Sequence, residues 1–306
     1  MQHDTAGDPV TGLRWTRKTT AKIAQALCGL GIAISPGTVG RLLKAMGYSL
    51  RVNHKKVSSV SPEARDKQFR YIAELRETFV RRGDPVISVD TKKRELVGNF
   101  KNAGAVWDRE PTLVNDHDFR SLADGVAIPY GVYDLEARCG SIFVGTSYDT
   151  PAFAVSCLEK WWRYDARHRY PSRKRCLVLA DNGGSNGPRN RAWKVGLQER
   201  LSDRHRVALT VAHYPPGSSK WNPIDHRLFS HISRNWAGRP LETYETILNY
   251  IRTTTTETGL QVKAYLDTKT YEKSVKFSKD DMARLRIHQH AMLPDWNYTI
   301  RPRNWK

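Results

Sequence analysis

Three aspartates stand at positions where an ionised side chain has chemistry available. Asp90 ends the apolar run "PVISVD", Asp181 ends "KRCLVLAD", and Asp225 lies near the start of the capped amphipathic segment "NPIDHRLFSHISRNW". Each also has an ordinary explanation. Asp90 could pair with a neighbouring lysine, "DNGG" after Ala180 is a common turn sequence, and a carboxylate near a helix start is favoured by the helix dipole. Whether they do chemistry depends on whether the fold brings them together.

Three carboxylates at one place repel each other, since like charges about 4 Å apart cost roughly 4 kcal/mol at an effective dielectric constant of 20. Cations between the groups remove that cost, and oxygen-only ligands select Mg²⁺ or Mn²⁺. Two such ions about 3.5–4 Å apart activate a water or a 3′-hydroxyl and stabilise the leaving oxygen of a phosphodiester. The residue types therefore predict that Asp90, Asp181 and Asp225 are catalytic and bind two Mg²⁺ (or Mn²⁺) ions.

The segments around these aspartates predict the elements that position them. Buried strands are predicted in "PVISVD", in both arms of the hairpin "AIPYGVYDLEARCGSIFVGTS", in "KRCLVLA" and in "VALTVAHY". Helices are predicted between the third and fourth strands, between the fourth and fifth, and from the N-cap Asn222 and Pro223 to Trp236. This is the element order of the ribonuclease-H-like fold, an α/β class with a mixed five-stranded sheet flanked by helices. In that order the first and fourth strands are neighbours, so Asp90 and Asp181 should converge.

Residues 84–240 are predicted to form this catalytic domain. Residues 1–60 are predicted to be a helix-turn-helix DNA-binding region, because two short helices flank a glycine-containing turn and the second begins at a Ser-Pro pair. Residues 61–83 are predicted to be a connecting helix, and residues 241–306 a C-terminal extension packed on the catalytic domain.

The second helix of the N-terminal region is predicted to bury an apolar stripe of Val39, Leu42, Leu43 and Met46. Its polar side chains then point outwards, which suits a helix that reads a DNA groove. An ordinary helical hairpin would give the same pattern.

The charge of the chain favours a polyanionic partner. Its 50 Lys and Arg against 31 Asp and Glu give a formal net charge of +19, which is typical of a protein that binds nucleic acid; a basic surface that serves only solubility is the alternative. The predicted contacts to double-stranded DNA are Thr38, Arg41, Lys44, Lys55, Lys56, Lys92, Lys93 and Lys220. Further substrate contacts are predicted at Asn182, Gly183 and Gly184, where a glycine-rich loop lets a DNA backbone approach, and at His226, which adjoins the third aspartate.

Several other classes are disfavoured. The four cysteines are scattered without a CxxC pair, which argues against a zinc knuckle and a disulfide framework. No apolar run approaches the roughly 18 residues that cross a bilayer, and the N-terminus has no secretory pattern. P-loop and GxGxxG motifs are absent from the sequence. A cytoplasmic, nucleoid-associated protein is therefore expected.

The sequence resembles bacterial insertion-sequence transposases of the Rhodopirellula-type DDE family, which is related to the mariner-like group. The matching motifs are "DPVISVDTKKRELVGNFKNAG", "IPYGVYDL", "ADNGGSNG", "HYPPGSSKWNPIDHRLFSHISRNWAGRPL" and "DWNYTI". They span most of residues 10–300. The resemblance implies a ribonuclease-H-like catalytic domain, divalent-metal catalysis, and cutting and joining of transposon DNA, with the acidic triad at Asp90, Asp181 and Asp225. A homodimer or larger assembly is expected in the complex with transposon ends and target DNA.

Two features depart from the pattern of the family. The third acid of the family is usually glutamate, whereas this chain has Asp225, as the mariner relatives do. Members also commonly carry an additional N-terminal DNA-binding region, so one interpretation is a truncated copy that acts as a non-catalytic DNA-binding regulator. A ribonuclease-H-like nuclease that cuts without joining is the other alternative.

Overall fold

The computed structural model describes residues 5–7, 14–16, 18–50, 61–218 and 221–304. Contacts divide the chain into two compact units, Met1–Lys56 and Val57–Lys306. Within the described ranges, no helix is long and apolar enough to span a membrane. Three predicted DNA contacts, Lys55, Lys56 and Lys220, lie outside the described residues.

The described residues of the first unit form two short strands and two helices. Its elements are β1 (Thr5–Gly7) and β2 (Arg14–Thr16), which pair antiparallel, followed by α1 (Thr20–Cys28) and α2 (Pro36–Ala45). The Ser35 hydroxyl accepts a hydrogen bond from the Thr38 N–H, so the predicted start of α2 is confirmed.

The core of this unit is smaller than the sequence pattern predicted. Ile23, Ala24 and Val39 are buried, and Leu43 packs against them. The predicted burial of Leu42 and Met46 is wrong, because these side chains are 49% and 62% exposed. Of the four predicted residues, Val39 belongs to the buried cluster and Leu43 packs against it.

The second unit contains the remaining helices and strands. Its helices are α3 (Pro62–Arg82), α4 (Pro151–Trp161), α5 (Arg167–Arg169), α6 (Arg191–Gly196), α7 (Ser230–Asn235), α8 (Tyr244–Arg252) and α9 (Lys279–Ala283). Three π-helical segments, Trp162–Ala166, Leu197–Asp203 and Asp225–Phe229, adjoin α4, α6 and α7, and 3₁₀ turns span Arg120–Leu122 and Gly184–Asn186. Its strands are β3 (Val86–Thr91), β4 (Glu95–Val97), β5 (Gly125–Asp134), β6 (Cys139–Gly145), β7 (Arg175–Ala180), β8 (Ala208–His213), β9 (Gln261–Asp267), β10 (Ile287–Gln289) and β11 (Asn297–Ile300).

These strands form one mixed sheet in the order β10-β11-β8-β7-β3-β5-β6-β9, with β4 paired to β5. The five predicted strands are its centre, but the predicted total of five is wrong, since nine strands pair in the part of the chain that the structure describes. Residues 241–306 do more than pack on the domain: β9 pairs parallel with β6, and β11 pairs antiparallel with β8. They thereby cover both edges of the central sheet, which would otherwise expose unpaired backbone groups.

The two faces of the sheet carry separate apolar cores. Along β3, Ile87 and Val89 belong to the core with α4 and α6, whereas Val86 belongs to the core with α3, α7 and α8. Because strand side chains alternate between faces, Ser88 and Asp90 lie on the same face as Val86. The helix that follows Asn222 packs on that face.

The first and fourth strands predicted for the catalytic domain, β3 and β7, are neighbours, as expected. Strands β3 and β7 pair parallel, with Val89 opposite Ala180. Asp90 directly follows Val89, and Asp181 directly follows Ala180. The register of β3 with β7 therefore brings both aspartates to the same end of the sheet.

Helix α3 is anchored to the sheet by a buried amide pair. The side chains of Gln68 and Asn297 exchange two hydrogen bonds of 2.8 Å, and Gln68 also donates to the His213 carbonyl at 2.9 Å. Residue 297 begins β11, so this pair joins α3 to the C-terminal part of the chain.

Candidate active site

The three predicted acids lie at the starts and ends of elements that meet on one face of the sheet. Asp90 is the second-to-last residue of β3, and its Oδ1 accepts a hydrogen bond of 2.7 Å from the Thr91 N–H. Asp181 directly follows β7, and Asp225 begins the π-helical segment before α7. Single π-helical turns within α-helices are frequent at functional sites.

The helix that carries Asp225 begins at Pro223, as predicted, but Asn222 does not cap it with its side chain. The Ile224 N–H donates instead to the Ser88 hydroxyl oxygen at 3.3 Å, and that hydroxyl donates to Oδ1 of Asn222. The Asn222 amide donates to Oδ1 of Asp181 at 3.0 Å. A strand residue therefore supplies the cap, and Asn222 connects the helix to the second acid.

Two glycines allow this helix to approach the sheet closely. Gly131 lies opposite Asp90 in the pairing of β3 with β5. A Cβ at this position would lie 2.6 Å from Cε1 of Phe229 and 2.8 Å from Cδ1 of Ile224. On β6, a Cβ at Gly140 would lie 2.5 Å from Cδ1 of Leu228. The distance of Asp225 from the sheet is thus set by the absence of side chains at both positions.

Burial and mutual repulsion make the ionised forms of these acids unfavourable. Burial, followed by the charges of Asp181 and Asp225, raises the pKa of Asp90 to about 8. Burial and the Asp181 charge raise the pKa of Asp225 to about 6, with the neighbouring His226 opposing. Burial also raises the pKa of Asp181, against which the Asn222 hydrogen bond acts. The site is one where a bound cation would stabilise the three carboxylates.

The three carboxylates repel each other electrostatically, but they are not arranged to bind one metal ion together. Across the part of the chain that the structure describes, no three His, Cys, Asp or Glu side chains lie close enough to hold a single metal ion. Electrostatic repulsion reaches further than a coordination bond, so this finding and the raised pKa values of Asp90 and Asp225 are compatible. All three donors are carboxylate oxygens, which is the chemistry that Mg²⁺ and Mn²⁺ prefer.

A fourth carboxylate, which was not predicted from the sequence, lies at the edge of the site. Oδ1 of Asp149 accepts a hydrogen bond of 3.2 Å from the Thr91 hydroxyl, and its charge contributes to the raised pKa of Asp90. Oδ2 lies 3.9 Å from the Arg94 guanidinium. The only local signal was its position directly before the Thr-Pro start of α4, which does not reveal that Thr91 is nearby.

A cleft of about 690 Å³ opens beside Asp225. Lys93 and Lys101 line it with exposed side chains. Lys92 also lines it, but this predicted DNA contact is buried: its ammonium pairs with Glu95 at 3.0 Å and lies 4.5 Å from the centre of the Trp236 ring. Burial lowers the pKa of Lys92. Lys93 and Lys101 are therefore the lysines of this cleft that are free to meet a phosphate, and Lys101 was not predicted.

The glycine-rich loop after β7 is open. No atom lies within 4 Å of a Cβ built at Gly183 or at Gly184, and Gly184 has a φ of +67°. The side-chain NH₂ of Asn182 is buried and has no hydrogen-bond partner among the described residues. This loop thus has room for a ligand beside the second acid.

The other predicted contacts are divided between the two units. His226 is exposed next to the third acid. In the first unit, Arg41 and Lys44 are exposed on α2, and Thr38 is half-buried and accepts a hydrogen bond of 3.2 Å from the Arg41 guanidinium.

The family model described as "Rhodopirellula transposase DDE domain" matches residues 1–302. No curated protein matches the chain. Among solved structures, the chain is similar to a Mos1 transposase paired-end complex with the left transposon end, at 16% identity and a TM-score of 0.42, covering 76% of this chain and 65% of that one.

Two further structures show similar values. The Mos1 strand transfer complex is 16% identical with a TM-score of 0.43, and the mariner Mos1 paired-end complex with Mg is 17% identical with a TM-score of 0.42. Each alignment covers 76% of this chain, and 64% and 65% of the respective Mos1 chains. The chain thus spans a little less than two thirds of the length of the solved chains that it matches.

Proposed function

The chain belongs to the Rhodopirellula transposase DDE domain family, and on this premise we propose that it is the DNA transposase of an insertion sequence. It cleaves phosphodiester bonds at the transposon ends and joins the freed strands to a target. The observation that carries this proposal is the coupling of Asp90, Asp181 and Asp225, since burial raises the pKa of all three and the Asp181 charge raises it further at Asp90 and Asp225. Buried, repelling carboxylates are unfavourable for stability and therefore point to a function.

Asp90, Asp181 and Asp225 would hold Mg²⁺ or Mn²⁺, as two ions. Bound there, the metal supplies activation of a water or 3′-hydroxyl and stabilisation of the leaving oxygen. The donor set fits, because it consists of carboxylate oxygens with no sulfur or imidazole. Asp149 is close enough for its charge to raise the pKa of Asp90. It would influence the metal site from outside the set of three ligands.

The remaining residues of the site bind and orient the DNA. Lys93 and Lys101 are exposed in the cleft beside Asp225 and would neutralise phosphates of the strand to be cut. The open backbone at Gly183 and Gly184 would let a phosphodiester approach Asp181. Lys92 is buried and paired with Glu95, so its role is to support the cleft wall.

The first unit would bind double-stranded DNA through α2. Arg41 and Lys44 are exposed on α2, as expected of a recognition helix in a helix-turn-helix region comprising residues 1–60. The net charge of +19 supports a DNA partner. A homodimer or larger assembly would hold two transposon ends, and the protein would work at the nucleoid.

A strand-transfer assay tests the proposal. The full chain is incubated with Mg²⁺, a plasmid target and labelled DNA carrying the ends of its own element. The expected products are cleaved ends and labelled joined DNA. Asp90→Asn and Asp181→Asn should abolish both, whereas Asp118→Asn, which removes an exposed carboxylate from the same cleft, should not.

The assay also separates the two alternatives. Cleavage without joined product would indicate a nuclease that cuts without joining. DNA binding with neither product, at Mg²⁺ and Mn²⁺ concentrations up to about 10 mM, would indicate a non-catalytic regulator. Either result would contradict the proposal.

A further inference from the structure

Asn222 is a fully buried residue that joins the three elements carrying the acids. Its amide donates to Oδ1 of Asp181 at 3.0 Å, and its Oδ1 accepts from the hydroxyl of Ser88. Ser88 lies two residues before Asp90 on β3, and Asn222 lies three residues before Asp225. One side chain thus contacts the loop of the second acid, the strand of the first and the start of the helix of the third.

We infer that Asn222 is a positioning residue, which fixes the orientation of the Asp181 carboxylate relative to the other two acids. This inference rests on the proposed function, because it assigns Asn222 a role in assembling the metal-binding carboxylates.

The directions of the hydrogen bonds leave one arrangement of the amide. An ionised carboxylate only accepts, so the NH₂ of Asn222 must face Asp181 and its carbonyl must face Ser88. The Ser88 oxygen accepts from the Ile224 N–H, and its single proton is donated to Asn222. The direction of each hydrogen bond from Ile224 through Ser88 and Asn222 to Asp181 is therefore defined. The carboxylate of Asp181 keeps lone pairs for a cation.

Helix capping does not account for Asn222. A capping side chain accepts from the second or third N–H of its helix, but the Ile224 N–H is bound by Ser88. Simple filling of buried space does not account for it either, because an apolar side chain would leave the carboxylate of Asp181 without this donor. Groups that orient metal ligands in this way typically change metal affinity or activity by about 10–100-fold when removed.

The test measures Mn²⁺ binding directly, by the loss of the free-ion electron paramagnetic resonance signal, with the full chain and without DNA. Asn222→Ala should weaken Mn²⁺ binding about 10–100-fold. In the strand-transfer assay it should raise the Mn²⁺ concentration for half-maximal rate by a similar factor. The matched control is Asn297→Ala, which removes another fully buried asparagine that is hydrogen-bonded to Gln68. It should lower the melting temperature and leave Mn²⁺ affinity unchanged.

Ser88→Ala provides a second variant in case Asn222→Ala does not fold. It removes the partner of the Asn222 carbonyl and leaves the donor to Asp181, so a smaller loss of Mn²⁺ affinity is expected. The double variant should lose less than the product of the two single effects, because both act through one carboxylate. Wild-type Mn²⁺ affinity in folded Asn222→Ala, or in folded Ser88→Ala if only that variant folds, would overturn the positioning role.

The same measurement distinguishes this failure from failure of the proposed function. If the wild-type chain binds no Mn²⁺, or if Asp181→Asn binds it as tightly as wild type, the metal site itself is absent. That result overturns the proposed function and the positioning role together. Normal wild-type binding with no effect of Asn222→Ala overturns the positioning role alone.

Discussion

The side-chain amide of Asn222 lies 3.0 Å from Oδ1 of Asp181, although the two residues are 41 positions apart. The sequence pattern predicted that Asn222 caps the start of a helix. In the folded chain the Ser88 hydroxyl accepts from the helix N–H, and the Asn222 amide binds the carboxylate of Asp181 instead. The acidic site is therefore held by a buried neutral network, which orients the carboxylates without adding charge.

Asp225→Asn should remove activity and leave the metal-free protein at least as stable as wild type. Burial and the Asp181 charge raise the pKa of Asp225 to about 6, so its ionised form is unfavourable in the fold. A neutral amide of the same size relieves this, and relief of about 1 kcal/mol would raise the melting temperature by about 2–4 °C. Mg²⁺-dependent cleavage should fall by orders of magnitude. Calorimetry at pH 7.5 with EDTA and a cleavage assay measure the two effects.

The sign of the stability change distinguishes the two explanations of Asp225. If the residue only served the helix dipole, asparagine would cost up to about 1 kcal/mol and cleavage would continue. Asp225→Glu should retain partial activity, given the glutamate usual in the family. Near wild-type cleavage by Asp225→Asn would remove this residue from the triad.

Gly131→Ala should reduce cleavage more than its effect on stability explains. The added methyl would lie 2.6 Å from Phe229 and push the helix of Asp225 away from β5. Overpacking of this kind costs about 1–3 kcal/mol, and a displacement of about 1 Å at a catalytic group lowers rates about 10²-fold. The control is Gly196→Ala, which overpacks Val155 in the other core, where the added Cβ would lie 2.9 Å from Cγ2. Equal loss of cleavage in both variants, after correction for the folded fraction, would contradict the spacing role of Gly131.

Gly183→Ala should impair DNA cleavage while leaving stability unchanged. Its φ of −142° is open to any residue, and no atom lies within 4 Å of an added Cβ. An effect on activity would therefore come from a ligand that approaches this backbone. Gly184→Ala is the comparison, because its φ of +67° makes alanine strained by about 1 kcal/mol. If Gly183→Ala binds and cuts DNA at the wild-type rate, DNA does not approach this loop closely.

Arg41→Ala should weaken binding to the transposon ends more than binding to unrelated DNA. Arg41 is exposed on α2, and loss of a base contact costs about 1–3 kcal/mol of discrimination. With about 6–10 phosphate contacts, wild-type affinity should fall about 10³–10⁵-fold between 50 and 200 mM salt. Lys22→Ala, on the exposed surface of α1, should weaken binding to both DNAs equally. Fluorescence anisotropy with both DNAs measures this, and equal losses for Arg41→Ala would argue against base reading by α2.

His290 should make the fold less stable in mild acid. Its Nδ1 lies 2.7 Å from the Tyr71 hydroxyl and its Nε2 lies 2.8 Å from the Thr299 hydroxyl. Burial, with a smaller effect of His288, lowers the pKa of His290 in the folded chain. Below its ordinary pKa of about 6.5, the unfolded chain then binds more protons than the folded one, so the free energy of unfolding falls as the pH falls.

Urea denaturation at pH 7.5, 6.5 and 5.5 checks this prediction. His290→Gln should be less stable at pH 7.5, by about 1 kcal/mol for each hydrogen bond lost. Its stability should then decline less between pH 7.5 and 5.5 than that of wild type. Parallel pH profiles would show that His290 does not contribute to the acid sensitivity.

The sequence by itself determined the central sheet and its three acids. Apolar runs specify buried strands and Ser-Pro or Thr-Pro pairs specify helix starts, because both signals lie within a few residues of chain. The order of those elements then implied that β3 and β7 are neighbours. That adjacency predicted that Asp90 and Asp181 lie at the same end of the sheet. The register of Val89 with Ala180 confirms the adjacency.

Only the tertiary structure decided which side chains complete the site. Ser88 and Asn222 meet across 134 positions, and Thr91 and Asp149 across 58. The burial of Lys92 depends in the same way on Trp236, and the strands after residue 260 depend on which edges the central sheet leaves open. Such contacts are set by the packing of elements distant in sequence, and a hydrogen-bonding side chain carries no local mark of the partner that the fold will bring to it.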